Sequence, residues 1–152
     1  MVKGLVAFEP QQAPSWRADA VLDPNILIAA LLSRSGAPAQ IVSRWLAGEF
    51  ELVVSENLRA ELEHALAYPK LRKRVSRDEA DAFIAIVRHG ALLATDEPDV
   101  PRRSEDPGDD YLLALAEQER AVLVSGDQHL LELADALPVQ TAREFLDHLA
   151  TR

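Results

Sequence analysis

Apolar positions along this chain fall in short blocks that switch between two periods. Ala20-Val21-Leu22 is a continuous apolar run that predicts a buried strand; Asp23-Pro24-Asn25 interrupt it before a longer apolar stretch at residues 26–32. Gly36 and Pro38 mark a break, after which Ile41, Val42, Trp45 and Leu46 follow helical spacing up to Gly48. Residues 50–54 read as a second strand, and Ser55 caps a helix that runs to about Tyr68, where Pro69 ends it. Ser76-Arg77-Asp78-Glu79 has the capping-box pattern; the helix it opens carries Phe83, Ile84 and Val87 and stops at Gly90. A third strand is expected at 91–94, a polar loop with three prolines at 95–108, a helix at 111–119, a fourth strand at 121–124, a helix at 128–136 and a last strand at 138–140. Thr141-Ala142-Arg143-Glu144 is a second capping box and opens the final helix. Alternating strands and helices imply an α/β domain, with a parallel sheet covered on both faces. Ligands of such sheets bind beyond the carboxyl ends of the strands.

At 152 residues the chain suits one domain with one core. Residues 1–18, with Pro10, Pro14 and two glutamines, read as an N-terminal extension, and the domain is expected over 19–152. Hydrophobic residues at 48% and charged residues at 27% place the chain among ordinary globular proteins rather than disordered ones. The absence of cysteine removes disulfides, thiolate catalysis and cysteine-ligated zinc. It also fits a reducing cytoplasm. No apolar run reaches the length of a membrane span, and Glu9 and Pro10 cut the short apolar stretch at 4–8 too early for a signal peptide. The expectation is therefore a cytoplasmic protein with no membrane partner. A net charge of −9 argues against a protein that coats nucleic acid by charge alone. It leaves room for a nuclease whose carboxylates hold metal ions, because bound cations reverse the local field.

The strand-end rule points at two acids. Asp23 directly follows Ala20-Val21-Leu22, and Asp127 follows Ala121-Val122-Leu123-Val124-Ser125-Gly126. If those strands are neighbours, the two carboxylates face each other across the crevice. A third candidate is Asp110, in the first turn of the helix opened by Asp106-Pro107-Gly108-Asp109-Asp110; a fourth is Glu61, flanked by Ala60 and Leu62 in the helix after the second strand. Asp106 and Asp109 are well explained as a cap and a first-turn acid, with Asp109 also a neighbour of the site. Two like charges ~4 Å apart repel by roughly 4 kcal/mol at an effective dielectric of about 20, so such a group needs a cation. Mg2+ and Mn2+ favour oxygen ligands and activate water against phosphodiesters. Nothing else in the sequence supplies a strong nucleophile.

The remaining candidates carry less. His64, His89, His129 and His148 have no metal-ligand spacing, and Trp16 and Trp45 read as packing residues. The one dense basic run, at 70–77, places Lys70, Arg72, Lys73, Arg74 and Arg77 either in a solvated loop or in a patch that steers RNA phosphates toward the acids.

These residues also resemble a known family. Val21-Leu22-Asp23-Pro24-Asn25-Ile26-Leu27 resembles the opening motif of PIN domains, where Asp-Thr-Asn is usual, and Ser55-Glu56-Asn57-Leu58-Arg59-Ala60-Glu61-Leu62 resembles the second motif. Residues 106–116 resemble the third, with Asp110 as the acid, and Leu123-Val124-Ser125-Gly126-Asp127 the fourth; Arg143-Glu144-Phe145-Leu146 is similar to the usual ending. Four motifs in order cover residues 19–148, and the nearest subgroup is the VapC-like toxins of bacterial toxin–antitoxin pairs. The resemblance implies a three-layer α/β/α fold and RNA cleavage dependent on one or two Mg2+ or Mn2+ ions held by Asp23, Glu61, Asp110 and Asp127. It further implies homodimers and a small antitoxin partner. Asn25 and Ser125 would position ligands or water, with Asp109 as an auxiliary. Pro24 replaces the usual threonine, and His129 stands where an aspartate often follows the fourth acid.

Two other classes compete. One is a PIN scaffold that binds RNA or a protein partner without cutting. The other is a phosphotransfer domain or phosphatase. Dehalogenase-type phosphatases need an aspartate two residues after the first, where this chain has Asn25, and receiver domains need a lysine after a late strand, where residues 121–152 contain none.

Overall fold

The apolar runs pair into one parallel sheet in the computed structural model, which describes residues 19–151. The N-terminal extension and Trp16 lie outside the described residues. The strands are β1 (Asp19–Leu22), β2 (Glu51–Val54), β3 (Leu92–Leu93), β4 (Val122–Val124) and β5 (Val139–Gln140), in the spatial order β3-β2-β1-β4-β5. All four pairings are parallel. Ala20, Val21, Leu22, Leu52, Leu123 and Val124 are completely inaccessible to solvent. That is why the central strands read as unbroken apolar runs: both of their faces are covered.

The covering helices are α1 (Pro24–Leu32), α2 (Ala37–Leu46), α3 (Glu56–Leu66), α4 (Pro69–Arg72), α5 (Arg77–Gly90), α6 (Asp110–Gln118), α7 (Gln128–Leu131) and α8 (Ala142–Ala150). Together with the sheet they make the expected three-layer α/β/α domain. Their starts follow the sequence signals. Ser55 Oγ accepts from the Leu58 amide, and both capping boxes form, Ser76 with Glu79 and Thr141 with Glu144. The first of these lowers the Glu79 pKa through hydrogen bonds from Ser76. Gly48 adopts φ +83 after α2, a left-handed turn that a side chain would strain. Phe50 and Phe145 meet edge to face at 5.1 Å between the start of β2 and α8. Trp45 is only 6% exposed and lies 3.0 Å from where a Cβ on Gly90 would stand, so it packs against the end of α5.

Two elements differ from expectation. The segment after Tyr68 contains a further helical turn, α4, because Pro69 sits at its first position, where a missing N–H costs nothing. The helix expected over 128–136 stops as a regular helix at Leu131. The Leu133, Ala134 and Ala136 amides then bond carbonyls three residues back. Leu130 is fully buried, but Ala134, Asp135 and Ala136 are exposed, so no packed face sustains the longer helix. The turns deliver Pro138, whose carbonyl accepts from the Leu123 amide at 2.7 Å, to the edge of β4.

Candidate functional site

The chain runs outward from β1 through β2 to β3, then returns to the other side of β1 for β4 and β5. Neighbouring strands β1 and β4 therefore lead their connections away in opposite directions, which opens a crevice at their carboxyl ends. Leu22 pairs with Val124, and the Asp23 amide continues the ladder to the Val124 carbonyl at 3.0 Å. This register places Asp23 beside Ser125, although 102 residues separate them in sequence.

Asp23 is the N-cap of α1, with Pro24 at the first helical position. One carboxylate oxygen, Oδ1, accepts from the Asn25 amide at 3.0 Å; the other, Oδ2, accepts from the Ser125 hydroxyl at 2.8 Å. The same Ser125 Oγ accepts from the Asp127 amide at 3.0 Å. One buried hydroxyl thus fixes both strand-end acids. Asp127 is itself the N-cap of α7, and its Oδ1 accepts from the His129 amide. Asp23 is 5% exposed. Its burial raises its pKa, the Asn25 and Ser125 hydrogen bonds oppose that, and the nearby Asp127 charge adds to it.

Asp109 and Asp110 part company. A short 3-10 turn, Pro107–Asp109, precedes α6, with Asp106 capping it through a 2.9 Å bond from the Gly108 amide. From that turn Asp109 faces the strand-end acids. Its pKa is pushed up to about 7 by burial first, then by the charges of Asp106, Asp23 and Asp127, with a carboxyl–carboxyl hydrogen bond to Asp127. Asp110, one residue on, turns into the loop before it. Its Oδ1 accepts from the Ser104 amide at 2.8 Å, the Ser104 hydroxyl at 2.7 Å and the Arg103 amide at 3.2 Å. Its Oδ2 is buried without a hydrogen-bond partner, 3.9 Å from Arg102 Nε. Burial raises the Asp110 pKa, but the Ser104 and Arg103 hydrogen bonds and the Arg102 charge outweigh it, and the net shift is downward. These neighbours thus differ in surroundings: Asp109 feels the charges of Asp23 and Asp127, while Asp110 anchors residues 103–104.

Glu61 is exposed, flanking the buried face that Leu58, Leu62 and Leu66 form on α3. It is nevertheless tied to the site region, because Tyr111, in the first turn of α6, donates its hydroxyl to Glu61 Oε1 at 2.6 Å. The Tyr111 pKa is raised by burial first, then by this hydrogen bond and by the charges of Glu61, Asp23 and Asp96. Asp96, for its part, accepts from the Asn57 amide in the first turn of α3 at 3.0 Å. Sequence reading missed Tyr111, Ser104 and Asp96. Only the tyrosine carried a signal, its place directly after two aspartates at a helix start.

Asn25 is exposed beside Asp23, with its amide used in the Asp23 cap. The basic residues lie on α4 (Lys70, Arg72), the turn after it (Lys73, Arg74) and the start of α5 (Arg77). Among the described residues no ion pair joins them to the acids. The histidines remain apart: His64 meets the Tyr68 ring, His148 the Phe145 ring, and His129 approaches Glu105 at 3.5 Å. Among the described residues no three His, Asp or Glu side chains are grouped so that together they could hold a metal ion. The donors are all hard carboxylate oxygens, and burial together with the charges of Asp106, Asp23 and Asp127 raises the Asp109 pKa to about 7. Both features fit a divalent ion that keeps several waters and takes one or two carboxylates.

A model of the PIN domain matches residues 19–129. An uncharacterized protein of Methanocaldococcus jannaschii is 23% identical over 137 residues, covering 84% of this chain and 88% of that one. Among solved structures, PAE2754 from Pyrobaculum aerophilum superposes with a TM-score of 0.66 at 21% identity, covering 90% of this chain and 98% of that one. VapBC2 from Rickettsia felis, bound to a DNA fragment from its promoter, superposes with a TM-score of 0.57 at 13% identity, covering 81% of this chain and 98% of that one. These likenesses are likenesses of fold. Among the described residues no single helix is long and apolar enough to cross a membrane.

Proposed function

This chain belongs to the PIN-domain family, whose members are generally nucleases, and from that premise we propose that it is a Mg2+- or Mn2+-dependent endoribonuclease, the toxin of a toxin–antitoxin pair. The observation that carries the reading is the Ser125 hydroxyl that links Asp23 and Asp127 at the β1–β4 switch point, with Asp109 near enough for both charges to raise its pKa. Asp23, Asp109 and Asp127 would hold the ion, with Glu61 completing the group from α3. A divalent ion bound there supplies charge neutralisation at a phosphodiester and a lowered pKa for water.

The side chains do the rest. Ser125 keeps Asp23 and Asp127 aimed into the crevice from one hydroxyl. Asp110 pins the backbone of residues 103–104 and so fixes the start of α6, from which Asp109 projects. Arg102, exposed and 3.9 Å from Asp110 Oδ2, would offer its guanidinium to a substrate phosphate. The basic residues Lys70, Arg72, Lys73, Arg74 and Arg77 would extend that contact along the RNA. An antitoxin protein and a second copy of the chain are the partners this reading implies.

The test is cleavage of total bacterial RNA by the purified protein with Mn2+, with EDTA, and by Asp23→Asn beside it. Asparagine keeps an acceptor for the Asn25 amide and turns its NH2 toward the Ser125 oxygen, so the side chain stays the same size and the fold should persist. The expected result is discrete fragments that need both metal and Asp23. A folded, Mn2+-binding wild type that leaves RNA intact would support the alternative, a PIN scaffold that binds without cutting.

A further inference from the structure

The acids at the strand ends are placed by backbone, but Glu61 is not. It projects from a solvent-facing position on α3, a helix separate from β1, α6 and α7, which carry or position the other acids. A free glutamate there samples many rotamers, and holding it in one costs side-chain entropy. One contact restrains it, and that contact comes from an element 50 residues later: the Tyr111 hydroxyl at 2.6 Å from Oε1. That length is typical of a strong O–H···O− bond to a charged acceptor.

We propose that Tyr111 is a positioning residue: its phenol holds Glu61 of α3 against the first turn of α6, so that Glu61 joins the acidic group. This rests on the ribonuclease reading above. Three features carry it. Tyr111 follows Asp109 and Asp110 directly, so its backbone is fixed by the same turn that aims Asp109. Its ring is half-buried, so the hydroxyl has a restricted swing and needs a partner. Only Glu61 Oε1 is engaged, and among the described residues Oε2 makes no hydrogen bond and faces no competing cation. The bond therefore orients the carboxylate while leaving one oxygen for a ligand. A bland alternative is that Glu61 merely satisfies a buried phenol. In that case the pair contributes to folding and nothing to the site.

A double-mutant cycle on Mn2+ affinity separates the two, read by calorimetric titration of the full chain without RNA. Tyr111→Phe keeps the ring and removes one oxygen. We expect it to weaken Mn2+ binding by about tenfold, the lower end of the roughly 10–100-fold typical of residues that orient metal ligands. Glu61→Gln should weaken binding at least as much. Tyr111→Phe added to Glu61→Gln should then cost almost nothing more, because the tyrosine acts only through the glutamate. Wild-type affinity in a folded Tyr111→Phe overturns the proposal while leaving the ribonuclease reading intact. So does a loss that persists in full in the Glu61→Gln background. A folded wild type with no Mn2+ affinity overturns both.

Discussion

The two sides of the acidic group are built on different principles. On the strand side, Asp23 and Asp127 sit at fixed steps beyond β1 and β4. The Leu22–Val124 register, two helix caps and one shared hydroxyl place them. Most of these constraints lie in or beside the buried core, the exposed Asp127 cap on the His129 amide excepted. On the helix side, Asp109 and Glu61 come from a 3-10 turn and an exposed helix face. They depend on side-chain tethers, Asp110 to residues 103–104 and Tyr111 to Glu61. The strand side should therefore keep its shape through most substitutions outside the core, whereas the helix side should fail when a single tether is cut.

The sharpest exception to that robustness is Ser125, where one hydroxyl serves both strand-side acids. Ser125→Ala removes the donor to Asp23 Oδ2 and the acceptor of the Asp127 amide together. The expected result is a loss of about 10–100-fold in Mn2+ affinity, as for other residues that orient metal ligands, with an intact circular-dichroism spectrum. Unchanged affinity would mean that backbone alone places the two acids.

The same division explains what the sequence revealed. Asp23 and Asp127 were legible because a short apolar run predicts a buried strand, and the residue just past its end is a position in the fold. Ser125 was reached only by family likeness, since no local pattern says that its hydroxyl spans two strands. Asp109 and Asp110 were not separable. Adjacent residues in a helix differ by about 100° in direction, and the 3-10 turn that decides which one faces the crevice leaves no periodic signature in three residues. Tyr111 escaped because its partner lies on another helix. The shortened α7 was hidden for the opposite reason: the apolar pattern at 128–136 continues, but the space it would pack into does not.

Cutting the Asp110 tether tests the helix side directly. Asp110→Ala strands the Ser104 amide in a buried position and frees the Arg103 amide. One stranded buried donor costs about 1–3 kcal/mol, so denaturant unfolding should show a loss of at least that size. Asp109→Asn should instead leave stability at neutral pH unchanged or slightly raised, because it removes a crowded carboxyl, and should weaken Mn2+ binding. The reverse pattern, with Asp110→Ala stable but metal-blind, would restore Asp110 as the third acid.

The smallest effect expected is a slope of stability with pH in the metal-free protein. Asp109 has a folded pKa of about 7 against an ordinary value of 3.8, raised by burial and by the charges of Asp106, Asp23 and Asp127. The folded state therefore holds this proton more tightly than the unfolded chain. Its contribution to stability is complete below about pH 4 and is lost as pH rises through 7. Asp23, raised in the same direction by its burial, adds to the slope. Asp110 has a lowered pKa, and its contribution disappears only as pH falls toward the acid range, outside this window. The melting temperature in EDTA should accordingly fall between about pH 4 and 7, and Asp109→Asn should flatten most of that fall. Mn2+ should reverse its sign, because only deprotonated carboxylates hold the ion. The strand-side substitution Ser125→Ala leaves the Asp109–Asp127 pair in place and should keep much of the slope, which separates crowding of charge from the hydrogen-bond scaffold that aims it. A flat profile in the wild type would mean that Asp109 turns away from Asp127 in solution and that the helix side assembles only around the cation.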